Sequence, residues 1–362
     1  MAPIIKFDYN QLINGNKNAR LGRLATKLSA VIEESSADIS DQFKLVPLLY
    51  NESTSDSSAE TIVVEDGYGL MSPTYDGNRP KTDKTTQIGK KVVMHVPYTK
   101  HIFFTKQMID DAKARLNPAM GVKAKELPRS YYQTRETLGQ LGFINGEQSS
   151  FTFDGAEIDL TTYDGQPLFS ANHKYGSPEG HAYGDQSNLF YVVKEFDKLT
   201  AGDIAEYIAQ LAINVRQMKN ANGMPQGFAA DSIFIPGGIQ SAKIQTLTRQ
   251  ALASEFVPGS GNNDVNTQYG QFSLNIMPMW DRSSRNDAME IMIMSQGSKE
   301  QLRSMFYDRT SLEVNAWEDD MTRNLNFSAY SRFGFGHADY KHVVKLKIYN
   351  SAPSDTDNIT QL

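Results

Sequence analysis

Tyr163-Asp164-Gly165-Gln166-Pro167-Leu168-Phe169-Ser170-Ala171-Asn172-His173 is the stretch whose reading decides the fold. Asp-Gly followed one residue later by proline is turn chemistry: Gly165 accepts a positive φ, and Pro167 fixes its own φ while pushing Gln166 toward an extended conformation. Leu168 and Phe169 then dock the turn on an apolar core. Nothing in the run looks like an enzyme motif.

On its N-terminal side, Ser130–Gly146 places Tyr131, Thr134, Leu138 and Leu141 on one stripe, and Phe103–Asn117 does the same with Met108, Ile109, Ala112 and Leu116. A long helix is expected, behind a lead-in interrupted at Pro118 and Pro128. Earlier still, strand-like Thr61–Glu65 and Lys90–Tyr98 flank a tip, Gly77–Lys84, rich in Gly, Pro, Lys and Asp. Val92, Met94 and Val96 alternate with Val93, His95 and Pro97, which predicts one two-faced strand of a long hairpin. Such a hairpin has too little core to stand alone and should lean on its own domain or on a neighbour. Gln11–Ile39 reads as an amphipathic arm, Phe43–Tyr50 as a strand, and Asn51–Glu60 as a solvated connection.

On the C-terminal side, Thr200–Asn220 gives the clearest helix: Ile204, Tyr207, Ile208, Leu211, Val215 and Met218 share a face, Thr200 with Asp203 starts it, and Asn222-Gly223 stops it. Phe228–Pro236, Phe272–Trp280 and Met289–Ser295 read as strands and Ile239–Ser254 as a helix, so Thr200–Ser295 is an α/β unit. Ser311–Trp317, Leu325–Phe335 and Val343–Tyr349 are expected to form an antiparallel sheet with one wet face.

The 362 residues, 40% hydrophobic and 22% charged, suffice for two substantial cores. The absence of cysteine removes disulfides, thiolate metal sites and cysteine nucleophiles. No secretory signal and no apolar run long enough to span a membrane is present. A net charge of −6 argues against a protein that grips nucleic acid by neutralising many phosphates. His173 and His181, near Asp164 and Asp185, match no zinc spacing, and Pro258–Asp264 is glycine-rich without the ending of a phosphate loop. The methionines at 277, 279, 289, 292 and 294 read as core or interface filler.

The order of these features, closing on Ser331-Arg332-Phe333-Gly334-Phe335-Gly336-His337-Ala338-Asp339, resembles that of tailed-bacteriophage major capsid proteins of the Mu-like head-subunit type, within the Hong Kong 97 (HK97) capsid fold. The resemblance implies an α+β fold: an N-terminal arm (1–44), an extended loop with flanking strands (45–102), a spine helix and peripheral domain (103–196), an axial α/β domain (197–303), and C-terminal peripheral strands with a tail (304–362). It implies a major capsid protein, assembled in the bacterial cytoplasm, that self-assembles as pentamers and hexamers into an icosahedral head shell enclosing genomic DNA without sequence-specific binding. No catalytic, cofactor or metal residue is expected. Intersubunit contacts are expected from Val92, Met94, Val96, Arg79, Lys81 and Lys84 of the loop, and the family turn is Asp164, Gly165, Pro167, Leu168 and Phe169.

Further copies of the chain, a scaffolding protein, a portal and a decoration protein are the implied partners. No long charged helical prefix precedes the arm, so a separate scaffold is expected. Some members of that family link a loop lysine covalently to an asparagine; Lys81, Lys84, Lys90 and Lys91 read here as solvated surface. An encapsulin-like or tail-tube assembly protein is the alternative. An α/β enzyme built on Thr200–Ser295 is the competing class, and the lack of a nucleophile elbow or phosphate loop counts against it.

Overall fold

The computed structural model describes residues 6–8, 19–65, 67–111, 118–180, 182–256, 265–281, 288–298, 304–353 and 358–362. The chain opens with β1 (Lys6–Asp8), α1 (Ala19–Ser40), α2 (Leu45–Leu49) and β2 (Asn51–Thr54), followed by β3 (Ala59–Glu65), β4 (Gln87–Met94) and β5 (Val96–Phe104). Helices α3 (Lys106–Asp111) and α4 (Pro118–Ile144) lead to three short pieces of hairpin and edge: β6 (Ser150–Phe153) with β7 (Ala156–Asp159), β8 (His173–Gly176) with β9 (Tyr183–Gln186), and β10 (Leu189–Val193). Then come α5 (Ala201–Gln217), β11 (Ser232–Pro236), α6 (Ala242–Ala253), β12 (Ser273–Met277) and β13 (Ala288–Met294). The long strands β14 (Ser304–Glu318) and β15 (Leu325–His337) precede β16 (Val343–Tyr349) and β17 (Thr360–Gln361).

Two sheets organise the molecule. The first runs β1-β14-β15-β5, with β2 also pairing β14, and the second runs β12-β11-β13-β16-β10-β17. The long helix α4 covers the first sheet, where Tyr50, Phe143, Phe306, Phe333 and Phe335 are all buried; Tyr50 meets Phe143 at 5.2 Å and Phe335 at 5.7 Å edge to face. The central strand β13 is buried on both faces, as its run Ala-Met-Glu-Ile-Met-Ile-Met requires. Met292 and Met294 fall in the first core, whereas Met289, Ile291 and Ile293 pack with Ile204, Ile208, Leu211 and Val215 of α5 in a second.

Helix α5 begins as expected. Thr200 Oγ1 accepts the Asp203 amide at 3.2 Å while the Asp203 carboxylate accepts the Thr200 amide at 2.9 Å, a reciprocal cap.

Several expectations fail for physical reasons. Phe43–Tyr50 is not a strand: its centre is the helix α2, because the Glu136 carboxylate of α4 accepts the amides of Leu45 at 3.0 Å and Val46 at 3.3 Å and caps that turn. Asn51–Thr54, expected as a solvated connection, is a strand parallel to β14. Its polar alternation suits an inner face that meets an ion rather than a hydrocarbon core: Arg135 of α4 donates to Glu52 at 2.8 Å and Asp308 at 2.9 Å. Pro128 does not interrupt α4, which runs through it. A proline inside a helix costs roughly 3 kcal/mol, and burial of Leu127, Tyr131, Tyr132, Leu138 and Phe143 on the same helix offsets it. Finally, Val343–Tyr349 does not join the antiparallel sheet; β16 lies between β13 and β10 in the second sheet.

Candidate functional site

The Asp164 turn is a hydrogen-bonded knot. Gly165 has φ 77°, and its amide donates to the Thr162 carbonyl at 3.0 Å. One carboxylate oxygen of Asp164 accepts from Thr162 Oγ1 at 2.6 Å and the Gln166 amide at 3.1 Å; the other meets His173 Nδ1 at 2.9 Å and the Lys174 amide at 2.9 Å. Burial works against the charged carboxyl, but the bonds from His173, Thr162 and Lys174 outweigh it and hold Asp164 below the usual carboxylate range. Leu168 and Phe169 are buried as expected. His173 is fully buried, stacked on Tyr340 at 3.6 Å with an interplanar angle of 7°, and its Nε2 lies 3.2 Å from the Leu168 carbonyl. It is a structural residue of the turn. His181 lies outside the described residues, and among the described residues no group of acidic, histidine or cysteine side chains could hold a metal.

This knot is one wall of a platform that receives the base of the β3–β4 hairpin. A Cβ on Gly89 of β4 would stand 2.6 Å from the Tyr163 carbonyl, and one on Gly334 of β15 would stand 2.2 Å from the Met94 carbonyl. On Gly336 it would meet Val93 at 2.9 Å. The Phe-Gly-Phe-Gly run therefore alternates side chains that fill the first core with bare positions over which the hairpin backbone lies. Lys91 reaches down from β4 to Asp159 at 2.7 Å and to Thr161 Oγ1 at 3.3 Å. Burial lowers the Lys91 ammonium in spite of Asp159; the Asp159 carboxyl, which burial would raise, is held low by Lys91 and Thr161. Beside them Lys341 pairs with Asp339 at 2.7 Å and donates to Tyr163 Oη at 3.2 Å.

The structure divides the loop residues singled out in the sequence. Val92 and Met94 share an exposed face of the hairpin with Val63. Val96 does not belong with them. His95 turns inward, with Nδ1 3.0 Å from the Ser57 carbonyl and its ring edge-on to Tyr307, and ends the hairpin strand; Val96 begins β5, paired with Phe333 in the first sheet. Lys91 is corrected too, from solvated surface to a buried ion pair. Arg79, Lys81 and Lys84 are exposed on the tip, as are Tyr68 (72%), Leu70 (74%), Met71 (100%) and Tyr75 (75%), which the sequence reading passed over.

A second cluster joins the two cores. Glu147, just past the end of α4, accepts from Lys345 at 2.7 Å and from Lys347, both on β16. Lys345, fully buried, lies 3.4 Å from Glu290 and over the rings of Phe169 and Trp280; Trp280 donates to Glu290 at 2.8 Å. Paired charges surrounded by rings form a joint between the two cores.

Compared with known structures, the molecule has the fold of a phage capsid subunit of the Hong Kong 97 type. It superposes on the capsid protein of the Myoviridae phage XM1 with a TM-score of 0.50 and 12% identity, over 84% of this chain and 91% of that one. For the capsid of the cyanophage P-SCSP1u the TM-score is 0.50 and the identity 11%, over 84% and 87%. No family model matches the sequence, and no curated protein matches it.

Proposed function

We propose that the chain is the major capsid protein of a tailed bacteriophage, of the Mu-like head-subunit type, assembling as pentamers and hexamers into a shell around DNA. The observation that carries this reading is the division of the hairpin: its base is fixed to the subunit through Gly89, Lys91 and Val93, while its outer face and tip present Val63, Val92, Met94, Tyr68, Leu70, Met71 and Tyr75 to solvent. A row of exposed apolar side chains on a braced projection suits burial against another copy. Arg79, Lys81 and Lys84 would sit on the rim of that contact.

In this reading 45–102 is the extended loop, 103–196 with 304–362 the peripheral domain around α4, 197–303 the axial domain, whose sheet is completed by β10, β16 and β17 from the peripheral stretches, and 1–44 an arm. The work is done by contact surfaces rather than by catalysis, and the partners are further copies, a scaffold, a portal and a decoration protein. Replacing Tyr68–Ile88 with a short Gly-Ser linker tests the reading: circular dichroism should report a folded subunit, and sedimentation velocity with negative-stain imaging should find closed particles for the parent protein and none for the variant. A parent that stays monomeric, alone and with its scaffold, would sink the capsid assignment.

A further inference from the structure

The tip of the hairpin does not hang free. Asn222, in the turn that follows α5, donates from Nδ2 to the Tyr68 carbonyl at 2.8 Å, and Tyr68, Gly69, Leu70, Met71, Ser72 and Met224 line a cavity of about 670 Å³ between tip and turn. Within the tip, Asp83 accepts the Gly69 amide at 2.6 Å and the Lys84 amide at 2.9 Å, so its two limbs are tied together. Gly67, with φ 66°, marks the point where the chain leaves the fixed base.

Three features make this contact provisional. It uses a main-chain carbonyl and leaves the tip's large apolar side chains in water, Met71 completely. Asn222 Oδ1 is buried there with no hydrogen-bond partner among the described residues, an arrangement that favours exchange for a better one. The hollow is lined almost wholly by the tip itself, with Asn222 and Met224 as the turn's share, so the two surfaces touch over little area.

We infer that Asn222 parks the loop tip against its own subunit, and that the tip must leave this position for its apolar side chains to cover a neighbour. The inference rests on the capsid reading. Parking withholds the loop from chance contacts between free subunits and so delays assembly. Because one neutral hydrogen bond shifts a two-state population by roughly twofold to tenfold, Asn222→Ala should shorten the lag of particle formation, followed by light scattering, by about that factor.

The absence of cysteine allows a second, direct test. Ser72→Cys with Met224→Cys puts a thiol on each side of the cavity, to be bridged by a short bis-methanethiosulfonate that dithiothreitol cleaves. The free subunit should bridge within one chain, the bridged protein should form no particles, and dithiothreitol should restore them. A free subunit that does not bridge, bridged subunits that assemble as the unbridged ones do, or an unchanged lag for Asn222→Ala overturns parking while leaving the capsid reading intact. A parent protein that never assembles overturns both.

Discussion

The two ends of the hairpin are built in opposite ways. At the base, every inward position is committed: Gly89 and Gly334 admit backbone against backbone, Val93 covers Gly336, and Lys91 is neutralised by Asp159. At the tip, residues 67–86 form no strand, and the large apolar side chains point outward. On the capsid reading proposed above, the braced base is the part held by the subunit and the exposed apolar tip is the part offered to a neighbour.

The largest effect that would sharpen this contrast is on assembly. Changing Tyr68, Leu70, Met71 and Tyr75 together to Ser removes side chains worth roughly 1.5–3 kcal/mol each when fully buried. Particle formation should be lost, while urea unfolding of the free subunit moves by no more than about 0.5 kcal/mol per site, as for other exposed positions. A large loss of subunit stability would show that the tip is part of the monomer's core.

Next in size is the joint between the cores. Glu147→Ala leaves Lys345 buried with Glu290 as its remaining carboxylate, so the loss should fall at or below the low end of the roughly 3–5 kcal/mol that an uncompensated buried charge costs. Denaturant unfolding should register that loss in the subunit itself. At the base, Gly334→Ala forces a methyl toward the Met94 carbonyl and should cost roughly 1–3 kcal/mol, with assembly impaired because the hairpin is displaced. Lys91→Met, which keeps the stem and drops the charge, removes the ion pair with the half-exposed Asp159 and should cost roughly 1–3 kcal/mol; an unchanged stability would mean that packing alone fixes the base.

The smallest effect is on pH dependence. Asp164 and Asp159 are both held below their ordinary range, so the stability they contribute is present above the unfolded carboxylate value of about 3.9. It is lost as pH falls through the lower folded values. Asp164→Asn should lower stability at neutral pH and flatten the fall between about pH 5 and pH 2. A parent protein whose unfolding free energy is level across that range would contradict the role given to the turn.

What could be read from the sequence follows the range of the forces involved. Helix α5 was legible because its cap, Thr200 with Asp203, and its apolar face are all local. The Asp164 turn was legible for the same reason, and the capsid-type fold followed from the order of such local features. Where distant partners decide, the pattern misled. The helix α2 depends on Glu136, ninety or so residues away; the polar strand Asn51–Thr54 depends on Arg135; and Lys91 looks like any surface lysine until Asp159 is placed beneath it. His95 ended the strand expected to carry Val96, and only the neighbouring Ser57 carbonyl and Tyr307 ring reveal why. The Phe-Gly-Phe-Gly alternation did hold a signal for the platform, since glycine at every second strand position marks a close backbone approach.

Amide hydrogen exchange, measured on the free subunit and on assembled particles, tests the contrast between base and tip most directly. Slow exchange is expected in β3 and β4 beside the platform in both states, and fast exchange over residues 67–86 in the free subunit that slows by orders of magnitude in particles. Tip amides that exchange as fast in particles as in free subunits would contradict the claim that this segment is completed by a neighbouring copy.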